Sequence, residues 1–329
     1  MHVRPAQRTY RTWIIDSRRW ERYRPRVDDI VVATYPKCGT TWMQRIVSLL
    51  VFQDPEPRPV MEISPWIDRR FPRPLPEVLA EIEAQEHRRF LKTHLPADGL
   101  PIYDVVKYIH VARDGRDACM SFHNHAASYS PQMLEGLDRS GLQDETIGRP
   151  YPRIPADPAK HFHRWLTVPE VPGHEDGSPG TSFFHFERTW WELRDEPNVL
   201  LVHYNDLKSD LSGEMRRIAA FLEIPVERRI WSQLVEAAEF RSMRRDGAAL
   251  MGRVAAAFQG SDNFFYKGTN GRWYGVVHDE DLALYDVKVR SRLPTECAQW
   301  VTSGGHTLRG GVPDQPQTVT MSFVRPEKE

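Results

Sequence analysis

The sequence predicts an α/β protein with a doubly wound parallel sheet, covered by helices on both faces. The first observation is residues 31–33, an apolar run without polar alternation, as expected for a strand buried on both faces. The second is the helical spacing of the apolar side chains that follow, which places a helix start near Thr41. These side chains are Met43, Ile46, Val47, Leu50 and Val51.

Three further strands are expected, and each ends in polar residues. One passes through Phe90 and Leu91, one covers 105–111 and one covers 199–202. Helices are predicted over 183–193, 211–222 and 227–240, whereas the proline-rich stretches 54–76 and 128–160 predict loops. With 329 residues, 40% of them hydrophobic, we expect a single domain over 1–329, with its motifs within 30–275 and a mobile tail over 303–329.

Charge and cysteine content limit the possible partners. The chain has 44 basic and 45 acidic residues, which gives no overall attraction to nucleic acid or to an anionic membrane. The arginine-rich and aromatic N-terminal segment is therefore interpreted as packed over the domain rather than as a nucleic-acid arm. Three cysteines without paired spacing, and no apolar run long enough to span a bilayer, favour a soluble cytoplasmic protein without disulfides or zinc.

The turn between the first strand and helix carries the most chemistry. In YPKCGTTW, Gly39 lets the backbone bend close to a ligand, and the first amides of the helix point towards an anion. Lys37 adds a positive charge, and Thr40 and Thr41 add hydroxyl donors. The string is not a Walker A loop, because its lysine precedes the glycine.

The other predicted strands also end in candidate ligand residues. Lys92 and His94 end the second strand, Arg113 follows the third, and Tyr204 follows the fourth. Ser121 lies eight residues beyond Arg113. Because the carboxyl ends of parallel strands meet at one edge of an open sheet, these side chains should converge there.

Several of these segments resemble one known family. YPKCGTTW resembles the loop that holds the 5′-phosphosulfate in cytosolic-type sulfotransferases using 3′-phosphoadenosine 5′-phosphosulfate (PAPS), with Cys38 where serine is commonest. LKTHLP and VLLVHYNDL also resemble family segments. NFFYKGTNGRW resembles the second phosphate-binding signature, with Tyr266 in place of an arginine and Arg272 in place of an aspartate. The resemblance implies a sulfotransferase-type, P-loop-like fold and these cofactor-binding residues: Lys37, Cys38, Gly39, Thr40, Thr41, Trp42, Arg113, Ser121, Tyr204, Phe240, Tyr266, Lys267, Gly268 and Arg272.

The resemblance also implies a reaction, the transfer of a sulfuryl group from PAPS to a hydroxyl acceptor. The implied catalytic residues are His94 as general base, Lys37 on the bridging oxygen and Lys92 on the transferring group. With the usual histidine pKa of about 6.5, kcat is expected to rise with pH through the titration of His94, unless the charge of Lys92 depresses that pKa. No metal is expected, because lysines cover the charge of the leaving group.

An aromatic acceptor site is predicted, favouring a phenol, an apolar alcohol or a lipid-like hydroxyl over a polyanionic sugar. Its expected residues are Trp66, Phe71, His123, Tyr129 and Phe258. Two alternatives remain open, an inactive protein that binds PAPS or 3′,5′-ADP (PAP), and a nucleotide kinase, which should show a Walker lysine and a magnesium-binding aspartate. A homodimer is possible, although the dimer motif of the family is not found.

Overall fold

A four-stranded parallel sheet forms the centre of the protein. The computed structural model describes residues 2–258, 264–265 and 267–305. The strands are β2 (Ile30–Thr34), β3 (Phe90–Thr93), β5 (Lys107–Ala112) and β6 (Val199–His203), in the order β3-β2-β5-β6. All neighbours run parallel, so the carboxyl ends of the strands lie at one edge. A short antiparallel pair, β1 (Val3–Arg4) and β4 (Ile102–Tyr103), lies apart from this sheet.

Helices surround the sheet. They are α1 (Thr40–Phe52), α2 (Val60–Ile63), α3 (Leu75–Ala84), α4 (Gly115–Ala127), α5 (Pro131–Leu142), α6 (Pro158–Thr167), α7 (Phe183–Trp191), α8 (Tyr204–Ser209), α9 (Leu211–Phe221), α10 (Arg228–Ala238), α11 (Phe240–Arg245), α12 (Gly247–Met251), α13 (Asp279–Arg292) and α14 (Thr295–Ser303). In the part of the chain that the structure describes, no helix combines the length and apolar character that a membrane span requires.

The two faces of the sheet pack into separate cores, as the doubly wound prediction requires. Ile30 and Val32 of β2 lie in one core with α1, α9 and α10. Val31 and Ala33, which point the opposite way, lie in the other core with α7, α13 and α14. Since all five β2 residues are buried, the apolar run has the environment predicted for it.

The N-terminal segment packs over the domain, as expected from its mixed charge. Trp13 and Trp20 are buried, and the Trp20 indole donates to Asp68 at 3.0 Å. Tyr10 donates its hydroxyl to Asp98 at 2.7 Å. The aromatic side chains are therefore core residues.

Two predicted loops contain helices. Stretch 54–76 holds α2 and the start of α3, and stretch 128–160 holds α5 and the start of α6. In α5, Pro131 occupies the first helical turn and Ser130 caps it by accepting from the Met133 amide at 3.2 Å. The proline there begins a helix, since its missing amide would have no helical partner in that turn. The predicted tail lies outside the described residues from 306 onwards.

Candidate active site

The start of α1 has the features of an anion cradle. Gly39 is its N-cap, with a φ of 104°, and a Cβ at this position would lie 3.1 Å from the Tyr204 ring. No side chain caps this end, and the first turn has no acidic residue. The amides of Thr40, Thr41 and Trp42, which have no partner within the helix, are therefore able to bind an anion.

Lys37 lies in this turn with a φ of 74°, a left-handed conformation that is uncommon outside glycine. Its backbone oxygen accepts from Arg113 at 3.2 Å, and its ammonium group lies 4.7 Å from the centre of the Phe264 ring. Burial, followed by the charges of Lys92, Arg113 and Arg272, lowers the pKa of Lys37 to about 7. A phosphosulfate at this place would supply the missing negative charge.

Cys38 departs from the expectation that it is a cofactor-binding residue. That amide donates to Tyr35 O at 3.2 Å, closing the turn, and the side chain is fully buried in the core. Burial also raises the pKa of its thiol well above the usual value. Cys38 therefore stabilises the turn from its core side and does not line the cavity.

His94 follows β3 and has a defined tautomer. Its Nδ1 lies 2.7 Å from Thr34 O, and since a carbonyl can only accept, Nδ1 carries the hydrogen. In a neutral imidazole, Nε2 then holds the lone pair that a base needs. Burial, followed by the charge of Lys92, holds the pKa of His94 well below its usual value, so the ring is neutral at physiological pH.

Lys92 precedes His94 by two residues on the same strand end. Its ammonium lies 4.4 Å from the Trp66 ring centre, and Trp66 packs edge-on against His94 at 4.8 Å. Burial, followed by the charge of Arg69, lowers the pKa of Lys92 to about 7. The lysine and the histidine thus share one aromatic neighbour.

Arg113 anchors a second cationic group at the end of β5. It is 4% exposed and donates to Asn270 Oδ1 at 2.7 Å and to Thr269 O at 3.1 Å. Its guanidinium also stacks 4.2 Å from the Tyr204 ring centre. The segment that resembles the second phosphate signature is therefore tied to the sheet edge.

That segment has a further attachment that the sequence did not indicate. The Gly271 amide donates to Asp117 on α4 at 2.7 Å, and Asn270 donates to Asn205 at 2.6 Å. Lys267 and Arg272 line the cavity, as does Ser121 on α4. Tyr266 lies outside the described residues.

Aromatic side chains form part of the cavity wall beside the Lys37 turn. Trp42 packs edge-on against Tyr204 at 5.2 Å and donates to Ala238 O at 2.8 Å. Gly268 passes so close to Phe240 that an added Cβ would lie 2.7 Å from its ring. Trp42, Tyr204 and Phe240 could contact a planar base.

One cavity of about 240 Å³ joins these groups to an aromatic chamber. Of the predicted acceptor residues, Trp66, Tyr129 and Phe258 line it. Phe71 and His123 do not. Phe71 packs against Gly136 of α5, and His123 donates to Pro155 O at 2.9 Å from the other side of α4.

His125 and Arg69 are among the cavity residues that the sequence interpretation did not include. His125 lies two positions after His123 on α4, where the helix turns it into the cavity against Tyr129 and Phe258. Its buried Nδ1 has no hydrogen-bond partner within the described residues. Arg69 lies beside Trp66. Helical spacing from Ser121 indicates His125, but no local pattern indicates Arg69.

A smaller chamber of about 60 Å³ lies behind His94 and shares that residue and Trp66 with the main cavity. Its other walls include Ile15, Cys119 and Trp165. Over the described ranges, no group of three His, Cys, Asp or Glu side chains is placed to hold a metal ion.

Comparisons with known proteins agree on a family. A model of the sulfotransferase domain matches residues 27–293. A glycolipid sulfotransferase of Mycobacterium tuberculosis is 33% identical over 312 residues, covering 90% of this chain and 94% of that protein. Human sulfotransferase 1C2 is 25% identical over 77% of this chain and 79% of its own length. The crystal structure of mouse sulfotransferase SULT7A1 complexed with PAP shares the fold, with a TM-score of 0.63 at 19% identity over 87% of this chain and 92% of that one.

Proposed function

Because the chain belongs to the sulfotransferase domain family, we propose that it transfers a sulfuryl group from PAPS to a hydroxyl acceptor. The products are a sulfate ester and PAP. The single observation that carries the proposal is the tautomer of His94, whose Nδ1 is bound to Thr34 O beside two lysines and an uncapped helix start. A neutral imidazole with its Nε2 lone pair available is the group that an acceptor hydroxyl needs.

Each of these residues would have its own role in the reaction. His94 takes the acceptor proton at Nε2 while the oxygen–sulfur bond forms and the bond from sulfur to the bridging oxygen breaks. Lys37 and the amides of Thr40 and Thr41 stabilise the charge that grows on the departing phosphate oxygen. Lys92 stabilises the transferring group. The lysines supply this charge stabilisation, so we assign no step to a metal.

The proposed nucleotide site has two anion-binding parts. The Lys37 turn would hold the 5′-phosphosulfate. Arg113, Ser121 and Lys267 would hold the 3′-phosphate, and Arg272 adds a further positive charge that lowers the pKa of Lys37. The described residues that line the cavity include no carboxylate, which suits a polyanionic ligand.

For the acceptor we propose an aromatic or lipid-like hydroxyl compound. Trp66, Tyr129 and Phe258 support this class, and the glycolipid acceptor named for the mycobacterial relative belongs to the same amphiphilic range. We also propose a cytoplasmic location, which the three buried free cysteines support. A homodimer remains a possible assembly.

The test is product formation from PAPS with phenols, alcohols and a glycolipid. We expect the sulfate ester and PAP in equal amounts. An inactive nucleotide-binding protein would bind PAP without making any ester. A kinase would transfer phosphate from ATP to the same acceptors, and that result would refute the proposal.

A further inference from the structure

Arg69 places a guanidinium in the cavity without an oxygen partner. Its Nη2 lies 3.8 Å from the sulfur of Met133, a weak acceptor, and its guanidinium carbon lies 5.6 Å from the centres of the Trp66 and Phe71 rings. Its Nε is buried without any hydrogen-bond partner within the described residues. Burial lowers the pKa of this guanidinium, and among the described residues no carboxylate charge counters that shift.

Two other arginines pair their terminal nitrogens with oxygen atoms. Arg70, the next residue, donates to Thr12 O and to the Asp144 carboxylate, both at 2.6 Å. Arg45 donates to backbone carbonyls of the segment after α1. Arg69 instead holds its guanidinium at the cavity wall with only a sulfur beside its Nη2, so its donors are available to a ligand oxygen.

The indole ring of Trp66 lies next to both Arg69 and the proposed general base His94. Trp66 contacts His94 by its edge at 4.8 Å, while the Lys92 ammonium lies 4.4 Å from the same ring centre. The proposed nucleotide contacts, Lys37 and Arg113, belong to other strand ends. Arg69 therefore faces the acceptor part of the cavity.

We propose that the acceptor carries an oxyanion, a carboxylate or a phosphate, that Arg69 binds about one ring away from the reacting hydroxyl. This inference rests on the proposed function and names its acceptor class. Arginine suits the role because its planar fork binds two oxygens of such a group at once. The aromatic lining accommodates the rest of a monoanionic phenol or amphiphile.

Anion binding at Arg69 has a consequence for Lys92. The charge of Arg69 is the second cause, after burial, of the lowered pKa of Lys92. An anion on Arg69 offsets that charge, so more of Lys92 is protonated when the correct acceptor is bound. Recognition of the acceptor would thus supply charge stabilisation at the transferring group.

The experiment compares acceptors that differ only in charge. The carboxylate probes are 3- and 4-hydroxyphenylacetate, each paired with its neutral methyl ester. The phosphate probe is 2-(4-hydroxyphenyl)ethyl phosphate, paired with 2-(4-hydroxyphenyl)ethanol. We expect kcat/KM with PAPS to favour at least one anion over its neutral partner by about 10- to 100-fold, the range for a hydrogen bond to a charged group.

Variants then assign the preference to Arg69. Arg69→Met should remove the preference and leave PAP affinity unchanged, whereas Arg69→Lys should keep part of it. The matched control is Arg229→Met, at an arginine whose side chain is 80% exposed in an ion pair with Glu227, and it should behave like the intact protein. Thermal melting of each variant verifies folding.

Calorimetry on the complex with PAP makes the result independent of turnover. Tighter binding of the anion than of its neutral partner, lost in Arg69→Met, supports the inference even if transfer is slow. Equal affinity together with equal turnover within every pair overturns it while leaving sulfuryl transfer intact. Failure of all six compounds to bind the PAP complex also overturns it, whereas the absence of any ester with the wider acceptor panel refutes the proposed function itself.

Discussion

Binding of PAP should take up protons, because Lys37 is only half protonated in the free protein at pH 7. Its pKa of about 7 results from burial and from neighbouring cations, and a bound polyanion reverses the second cause. The lysine therefore gains a proton on binding. Affinity must then be highest at low pH and fall as pH rises above the pKa of the free lysine.

The size of the proton uptake, and of the change in PAP affinity with pH, follows from the pKa of Lys37. For one group with a free pKa of about 7, uptake is about 0.5 proton at pH 7.0 and close to 1 at pH 8.5, and the dissociation constant rises about 15-fold between them. This range avoids the second ionisation of the ligand phosphate near pH 6. Lys92, with a similar pKa, adds to the uptake to the extent that PAP reaches it.

The assay is titration calorimetry in buffers of different ionisation enthalpy at both pH values. Lys37→Arg keeps the positive charge but does not titrate, so its uptake should fall by the share of Lys37. Lys92→Met removes the other lysine, and Lys208→Arg, at an exposed position, is the control. A pH-independent affinity with no proton uptake in the intact protein would refute this reasoning.

Three further results are expected. His94→Ala should retain PAP affinity while kcat falls by about 10²–10⁴, as measured by turnover at saturating PAPS. In the intact protein kcat should not rise through the pH range in which an ordinary histidine titrates, because burial and the charge of Lys92 hold the pKa of His94 well below its usual value. Arg113→Ala should weaken PAP by about 2–4 kcal/mol, because it removes a charged donor, and calorimetry giving PAP and 5′-AMP equal affinity would argue against a 3′-phosphate site. Gly39→Ala should lower the free energy of unfolding by about 1–2 kcal/mol, because alanine is strained at a φ of 104° and its Cβ would lie 3.1 Å from Tyr204. Chemical denaturation measures this change. Gly148→Ala is the control, because Gly148 also has a positive φ but an added Cβ there would meet nothing within 4 Å.

The sequence was most informative where a local motif dictates local geometry. The Lys37 turn, the helix start after Gly39 and the strand end at His94 follow from short patterns of residue type. Their convergence followed from one topological rule, that parallel strands end at a common edge. The family resemblance added the chemical roles that these residues are proposed to have.

The other features of the site could not be predicted from local motifs, because they depend on contacts between segments that are distant in the sequence. Asn270 reaches Arg113 across 157 positions, and Arg69 has its position because of the strand-like bridge between Trp66 and Lys92. His123, the predicted acceptor residue, does not line the cavity, whereas His125, one helical turn after Ser121 on the same helix, does. The charge of Lys92 lowers the pKa of His94, which is the exception stated from the sequence, but burial is the larger cause and could not be predicted because it depends on the complete fold.

Asp68 explains why the charge state of this site cannot be obtained from the motifs alone. It is fully buried and accepts from the indoles of Trp20 at 3.0 Å and Trp66 at 2.6 Å, so it fixes the ring that separates Arg69 from His94. Burial raises its pKa, yet its charge raises the pKa of Lys92 while that of Arg69 lowers it. Lys92 therefore lies between two opposing charges contributed by adjacent residues of one loop. The pKa of Lys92 is already near neutral, so a modest change in either charge alters the protonated fraction of this lysine. A group bound at the acceptor end of the cavity can therefore influence the charge of Lys92 through this loop.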